Sequence, residues 1–535
     1  MLRFVHLLVY LTLLLGGTYL AYRPTFETHF RQMQTDIGDT VLNHYILEHS
    51  FQALFNPNYC GTLLSPPFYH PQELVLGYSE NLLGTAPLYW ALRAVCTYDL
   101  AFQWWMILCG MLNFVTAAAV ARRLGCPPIV AAFAGFLWAF SLVHVYQVRH
   151  QQMIPRLWCP VAAYYAWRLA LEPSVRSLHR MVAACFLQTA CCIYTGWFLV
   201  LGIAVFLPFA LSLRPGGWIE LRAFYTSRRT RILLVLGVWA CAFGAFFLPY
   251  FLANRGVSRG YSECVPFLPN GSTWVCGPED SWWFRTIGPF RESVSGEAAL
   301  FCGPTLFVLL MASAIWAFRR RHSIRESPER LLIAACLLTT AFLVITTMAF
   351  WEGLSGWYLL RLLPGGGAIR VVARVYVPIY LFANIAVVLT LAVWLREERS
   401  CLARTGYYLL MALVVFEQTG HTSDRFDKPK FYGRVERCAE ALKGAELGFI
   451  TGDFGPDGGF QPNLLGMWAG LRANVPVANG YSGRSPPGYK DHGLLIEEEL
   501  IEWLKPRYRG RVRFIDSTDP NCQWETEITE YDDRG

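Results

Sequence analysis

The chain is short of charge and nearly devoid of lysine. Only 16% of its 535 residues are Asp, Glu, Lys or Arg, while 54% are hydrophobic. That balance excludes an ordinary soluble domain and fits a protein that crosses a membrane many times. All five lysines lie beyond residue 427, and nothing in the sequence accounts physically for that. Several motifs are missing too. There is no phosphate loop of the Walker type, no Gly-x-Gly-x-x-Gly after a strand, no His-Glu-x-x-His and no Gly-x-Ser-x-Gly. Nucleotide-binding and serine-hydrolase readings therefore have no support. No Cys-x-x-Cys is present, which argues against a zinc site. There is no internal repeat and no low-complexity tract.

What the sequence does hold is apolar runs. They place about eleven spans, near 4–22, 100–121, 127–146, 153–171, 180–195, 197–213, 231–252, 298–318, 331–350, 374–395 and 402–418. The stretch 180–213 reads either as two spans or as one run broken at Thr195-Gly196-Trp197. At about 34 residues it exceeds a single crossing. The arginines set the orientation. Arg122-Arg123, Arg176 with Arg180, the set Arg214, Arg222, Arg228, Arg229 and Arg231, the run Arg319-Arg320-Arg321 with Arg325, and Arg396 with Arg399 all fall in loops on one side. Positive residues favour the cytoplasm, so the N-terminus is expected inside and the C-terminus outside. The net charge of +7 is mostly this topogenic arginine and gives no reason to expect a nucleic acid partner. No small-x-small cleavage site follows the first run, which reads as a retained span of a plasma or inner membrane protein.

The fold class expected is thus an α-helical polytopic membrane domain over 1–418 with a small extracytoplasmic α/β domain over 419–535. The tail alternates expected strands (Leu447–Thr451, Val512–Asp516, Glu525–Glu530) with expected helices (Phe431–Leu442, Leu464–Leu471, Leu494–Leu504). The first outer loop, 23–99, holds an expected interfacial helix from Thr40 to Phe55 and a second over about 81–95. Most of the 16 cysteines fall within spans or at their inner ends. Cys264 and Cys276 bracket a Pro/Gly-rich outer loop, and an oxidising compartment would let them pair.

The candidate chemistry gathers on the outer side. Asp36 and Asp39 stand just past the first span. Asp39 reads either as an N-cap for the helix starting at Thr40 or as a general base or metal ligand. Closely spaced acids at a membrane surface suit a lipid-linked substrate. Glu80 is a second acid, a first-turn helix residue or a partner of Asp39 in one cavity. Arg370 and Arg374, spaced i, i+4, would share a helix face and either snorkel or bind a phosphate. His150 sits in a short outer turn, Gln147–Gln152, as a solvated loop residue or a ligand contact. Trp274, Trp282 and Trp283 read as an aromatic belt or as sugar platforms.

Gly38-Asp39-Thr-Val-Leu-Asn43, Tyr69-His-Pro71, Tyr78-Ser-Glu80, Arg149-His-Gln-Gln152, Ile369-Arg-Val-Val-Ala-Arg374 and Val477-Ala-Asn-Gly-Tyr-Ser-Gly483 resemble segments of uncharacterised bacterial members of the GT-C glycosyltransferases. These are polytopic enzymes that use polyprenyl-phosphate sugars. The resemblance implies glycosyl transfer on the outer face to a glycan, lipid or protein acceptor. It puts Asp39 or Asp36 in the role of essential acid, with Glu80 beside them. It implies substrate contacts from Arg370, Arg374, His150, Gln151, Asn43, Tyr78 and His70. A divalent cation, Mg or Mn, is a possible cofactor, although Asp-x-x-Asp departs from the Asp-x-Asp or adjacent pair of some branches. The rival readings are a transporter or flippase of lipid-linked sugars and a non-catalytic assembly protein. Coupled transporters place ionisable groups inside their spans, and these spans are almost free of them.

Overall fold

A computed structural model describes residues 2–255, 259–277, 281, 297, 299–351, 353–419, 424–452, 460–490, 493 and 495–529. Trp282 and Trp283 lie outside them. We label the main helices α1 (Leu2–Ala21), α2 (Gly38–Phe55), α3 (Ala86–Arg93), α4 (Tyr98–Arg123), α5 (Pro128–Phe140), α6 (Trp158–Leu171), α7 (Val175–Cys191), α8 (Ile193–Leu213), α9 (Gly217–Ala253), α10 (Pro304–Arg319), α11 (Pro328–Thr347), α12 (Tyr376–Glu397), α13 (Cys401–Glu417), α14 (Lys428–Leu442), α15 (Gln461–Ala473) and α16 (Glu497–Leu504). The strands are β1 (Gln32–Gln34), β2 (Arg425–Asp427), β3 (Leu447–Thr451), β4 (Gly510–Asp516) and β5 (Gln523–Ile528).

A helix stands at each of the eleven expected spans. Among the described residues, seven segments are long and apolar enough to cross a membrane: Arg3–Ala21, Tyr98–Arg123, Pro128–Tyr146, Ile193–Leu213, Gly217–Ala253, Pro328–Thr347 and Val372–Glu397. The protein is a polytopic helical membrane protein. The helices α6, α7, α10 and α13 are shorter. The 180–213 stretch is two helices, and the break falls at Cys192 (φ −162°, ψ 122°), upstream of the expected Thr195–Trp197. Local chemistry sets the ends. Ser174 caps α7 through Ser177 N, Asp427 caps α14 through Lys430 N, and proline opens α10 and α11.

The tail forms β3-β4-β5, with β3 and β4 parallel and β4 and β5 antiparallel. It is bound closely to the loop 23–99. β1 pairs antiparallel with β2, Gln32 opposite Asp427, and one hydrophobic cluster runs from Leu14 through α2 and α4 to Trp468 and Ile528. Gly480 lies against the Tyr69 ring, where any Cβ would sit 2.2 Å from a ring carbon; only glycine permits that approach.

The structure corrects three expectations. α2 is not interfacial, because Asn43, His44, Glu48, His49 and Ser50 are all buried along with its apolar residues. The second loop helix is only α3, with turns and extended backbone before it. No disulfide joins Cys264 to Cys276. Cys264 is buried in a cluster with Trp357 and points its thiol at Ile369 O, 3.2 Å away.

Candidate active site

Asp39 lies in the first turn of α2. It does not cap that helix, whose N-cap is Ile37 with no side-chain bond. Its carboxylate reaches across to the 147–153 turn. His150 Nδ1 donates to Asp39 Oδ2 at 2.6 Å, and Gln152 Nε2 approaches the same oxygen at 3.4 Å. Oδ1 has no hydrogen-bond partner among the described residues, and the side chain is 23% exposed. One oxygen of Asp39 is therefore held and the other is open.

His150 is not a solvated loop residue. Its Nε2 donates to Glu297 Oε1 at 3.1 Å, so the ring bridges two carboxylates. Arg374 Nη2 stands 3.6 Å from Glu297 Oε2 and completes an alternating row, Asp39–His150–Glu297–Arg374. Burial and the Arg374 charge push His150 down, but its bonds to Asp39 and Glu297 outweigh them and lift it to about 9. Burial pushes Glu297 up; Arg374 and His150 hold it at about 2. Burial likewise opposes ionisation of Asp39, and His150, Arg374 and Gln152 together hold its carboxyl below the ordinary range. At neutral pH the row reads minus, plus, minus, plus.

The turn is anchored from beneath. Gln151 Nε2 donates to Thr35 Oγ1 and Thr40 Oγ1, both at 2.6 Å. Asn43 Nδ2 donates to Asp39 O at 2.7 Å and to Gln152 Oε1 at 2.8 Å. Thr35 adopts φ 77°, an unfavourable region for a β-branched residue, and is held by these bonds and by Asp424 O. Three successive carbonyls are then fixed by buried side chains. Arg156 donates to Met153 O, Asn113 to Ile154 O and Gln188 to Pro155 O, at 2.8, 2.7 and 2.8 Å.

The other expected site residues divide. Asp36 stands beside Asp39, and partial burial of its carboxyl together with the Asp39 charge pushes it up to about 6. Arg370 and Arg374 do not share a helix face: Arg374 is in a 3₁₀ turn before α12, and the chain before it is extended. Arg374 is buried, with its guanidinium 4.6 Å from the Tyr194 ring centre, so it is no membrane anchor. Arg370 is half-buried over Phe267 and has no carboxylate partner among the described residues. Its charge acts on Tyr481, as do those of Asp39 and Asp36, which brings the tail's Tyr481 to the same rim. Glu80 is buried and accepts from Ile193 N at 2.8 Å and Tyr194 N at 3.5 Å, so it anchors the start of α8 instead of facing a substrate. Gln151 has no exposed surface and Asn43 almost none, which makes them supports of Asp39 and not substrate contacts. Tyr78 is buried against the Gly483 turn. His70 donates its backbone N–H to Val477 O and packs on Tyr508, at the seam with the tail.

Sequence reasoning missed Glu297, Gln152 as a ligand of Asp39, Tyr481, and the amides Asn113 and Gln188. Glu297 is the acid immediately before the apolar span 298–318. Asn113 and Gln188 are lone amides inside apolar runs, where a polar side chain needs a partner.

The donor set does not fit a divalent cation. Among the described residues no group of three His, Cys, Asp or Glu could hold one. The position beside Asp39 Oδ2 is filled by a histidine that both ring nitrogens commit as donor, and a ligand histidine needs a free lone pair.

No family model matches the chain, and no curated protein matches it. Several solved structures are similar to it, two of which follow. The Archaeoglobus fulgidus oligosaccharyltransferase, crystallised with zinc and sulfate, is 11% identical with a TM-score of 0.46; the match covers 88% of this chain and 62% of that one. ArnT from Cupriavidus metallidurans, in the apo state, is 12% identical with a TM-score of 0.37, covering 96% and 94%. The chain thus spans about 62% of the archaeal enzyme's length. Both likenesses concern the fold alone.

Proposed function

We propose that this protein is an integral membrane glycosyltransferase, moving a sugar from a polyprenyl-phosphate donor to a hydroxyl on a glycan, lipid or protein at the outer face. The observation that carries the reading is the divided carboxylate of Asp39. His150 and Gln152 fix Oδ2, while Oδ1 has no hydrogen-bond partner among the described residues and Arg374 stands in the same charged row. A fixed carboxylate with one open oxygen suits a general base.

In this reading Oδ1 takes the proton of the acceptor hydroxyl. The acceptor oxygen forms its bond to the anomeric carbon as the bond from that carbon to the phosphate oxygen breaks. The electron pair leaves on the phosphate, and a single displacement inverts the configuration. Arg370 meets the developing charge from the rim. Arg374, buried and paired with Glu297, acts chiefly by holding the row in place and contributes its field. The low basicity of Asp39 is tolerable because a lipid phosphate departs readily and the acceptor proton moves late. His150 keeps its own proton and orients the carboxylate.

The test is mass spectrometry of lipids retained by the purified protein, followed by incubation with an acceptor pool. A co-purifying polyprenyl-phosphate sugar that is consumed on incubation is the expected result. Retention without consumption, by protein whose bundle is intact, would favour a carrier and end the transferase reading.

A further inference from the structure

The opposite end of the bundle carries a second feature. α9 has 37 residues, about 55 Å of helix against a hydrocarbon core of about 30 Å. It is broken at Arg228 (φ −126°, ψ 19°). The part before the break lies at the C-terminal ends of α6 and α8, away from the end where Glu80 caps α8. It exposes Trp218 and Ile219 and carries Arg222, with Arg228 at the break and Arg229 and Arg231 just after it, all exposed.

Among the described residues none of these four arginines has an ion pair or side-chain hydrogen bond, whereas their neighbours are satisfied. Arg214 is bound by Ala170 O and Glu220, and Arg168 by Glu172. Glu172 and Glu220 are therefore engaged, and the four cations have no counter-charge among the described residues.

Two apolar clefts open beneath this segment, of about 380 and about 260 Å³. They adjoin along a shared wall of Leu169, Trp218 and Leu221. Arg222 lines the rim of the larger cleft, and Pro208 closes the floor of the smaller. Paired apolar clefts under an uncompensated cationic rim match a molecule with two hydrocarbon chains and an anionic head.

We propose that this kinked segment is a binding site for a two-chained anionic phospholipid, one chain in each cleft and the phosphate between Arg222 and the Arg228–Arg229 break. A zwitterionic lipid is disfavoured, since Glu220 and Glu172 are engaged and no further acid among the described residues lines the clefts for its ammonium group. Topogenic arginine alone requires neither the clefts nor the break. The site is independent of the chemistry proposed at Asp39.

The full chain, exchanged into an equimolar mixture of phosphatidylglycerol and phosphatidylcholine and then released from detergent in a native mass spectrometer, reads the bound lipid directly. Phosphatidylglycerol should dominate in the wild type. The triple variant Arg222→Gln, Arg228→Gln, Arg229→Gln should lower that preference on the order of a hundredfold, from roughly fivefold per surface arginine. Leu221→Trp keeps every charge but fills the shared wall, and it too should lose retained lipid. Equal retention of the two lipids by the wild type would overturn the proposal. So would an unchanged preference in the triple variant, or unchanged retention in Leu221→Trp. Displacement of the lipid by millimolar inorganic phosphate would show that the head alone is recognised, and would overturn the two-chain site.

Discussion

Asp39 gives one carboxylate oxygen to His150 and Gln152 and keeps the other open, and this division makes the residue testable. Asp39→Asn preserves shape and removes the base. If the proposed role holds, transfer should fall by roughly a hundredfold or more, the usual scale for a lost general base, while donor retention stays near wild type. Transfer within a few-fold of wild type would end the assignment. His150 offers a separate test through pH. Its ordinary value is about 6.5 and its folded value is raised to about 9. A group raised on folding stabilises fully below its unfolded value and loses that contribution as pH climbs through the folded one. The wild type should therefore lose thermal stability between about pH 6.5 and 9, and His150→Gln should show no such step in the same scan. Asp39, His150 and Arg374 were legible in the sequence because each is a charged or titratable residue at the edge of an apolar run. Their mutual contact was not legible, since 111 positions separate His150 from Asp39 and nothing local links them.

At the scale of elements, the tail strands and helices were readable because each carries its own periodicity and its own stops, such as Asp427-Lys428-Pro429 before α14. α2 was misread for a physical reason. Polar and apolar residues alternate around it without a clean face, and its polar side chains are satisfied by distant partners. His44 bonds Tyr432 at 2.6 Å, Glu48 accepts from Tyr89 and Arg93 at 2.7 and 3.0 Å, and Trp468 Nε1 donates to Val41 O at 3.1 Å. A helix that would have been stranded at the interface is instead enclosed by the tail. Trp468 has no exposed surface, so Trp468→Ala should cost about 3–5 kcal/mol. It should also reduce transfer, because α2 carries Asp39. Calorimetry beside a kinetic assay distinguishes the outcomes: a stability loss with unchanged turnover would mean that Asp39 is positioned by the 147–153 turn alone.

The whole molecule is constrained by contacts that bind distant segments to one face. β1 pairs with β2, Asp39 with His150, Glu80 with Ile193, Asn254 with Gly77, and Glu297 with both His150 and Arg374. Between any two segments on one side of a membrane the chain must cross an even number of times. Glu297 and Arg374 are separated by α10 and α11, and α11 is of membrane length, so α10 must cross although it has only 16 residues. Arg374 and β2 are separated by α12 and α13, so α13 must cross with α12. Only α6 and α7, between His150 and Ile193, are left undecided, since both cross or neither does. They have 14 and 17 residues, about 21 and 26 Å of helix, near the short limit for a crossing. Arg176 and Arg180 decide between the cases, because a loop carrying both favours the cytoplasm. We expect both helices to cross, giving eleven spans with the N-terminus inside. A protease site inserted after Pro173 should resist protease added to intact cells and be cut once the membrane is opened, while one inserted after Pro520 should be cut from outside. Cleavage at the first site from outside would remove α6 and α7 from the crossing set and leave nine spans, an odd count as before, with the termini on the same sides.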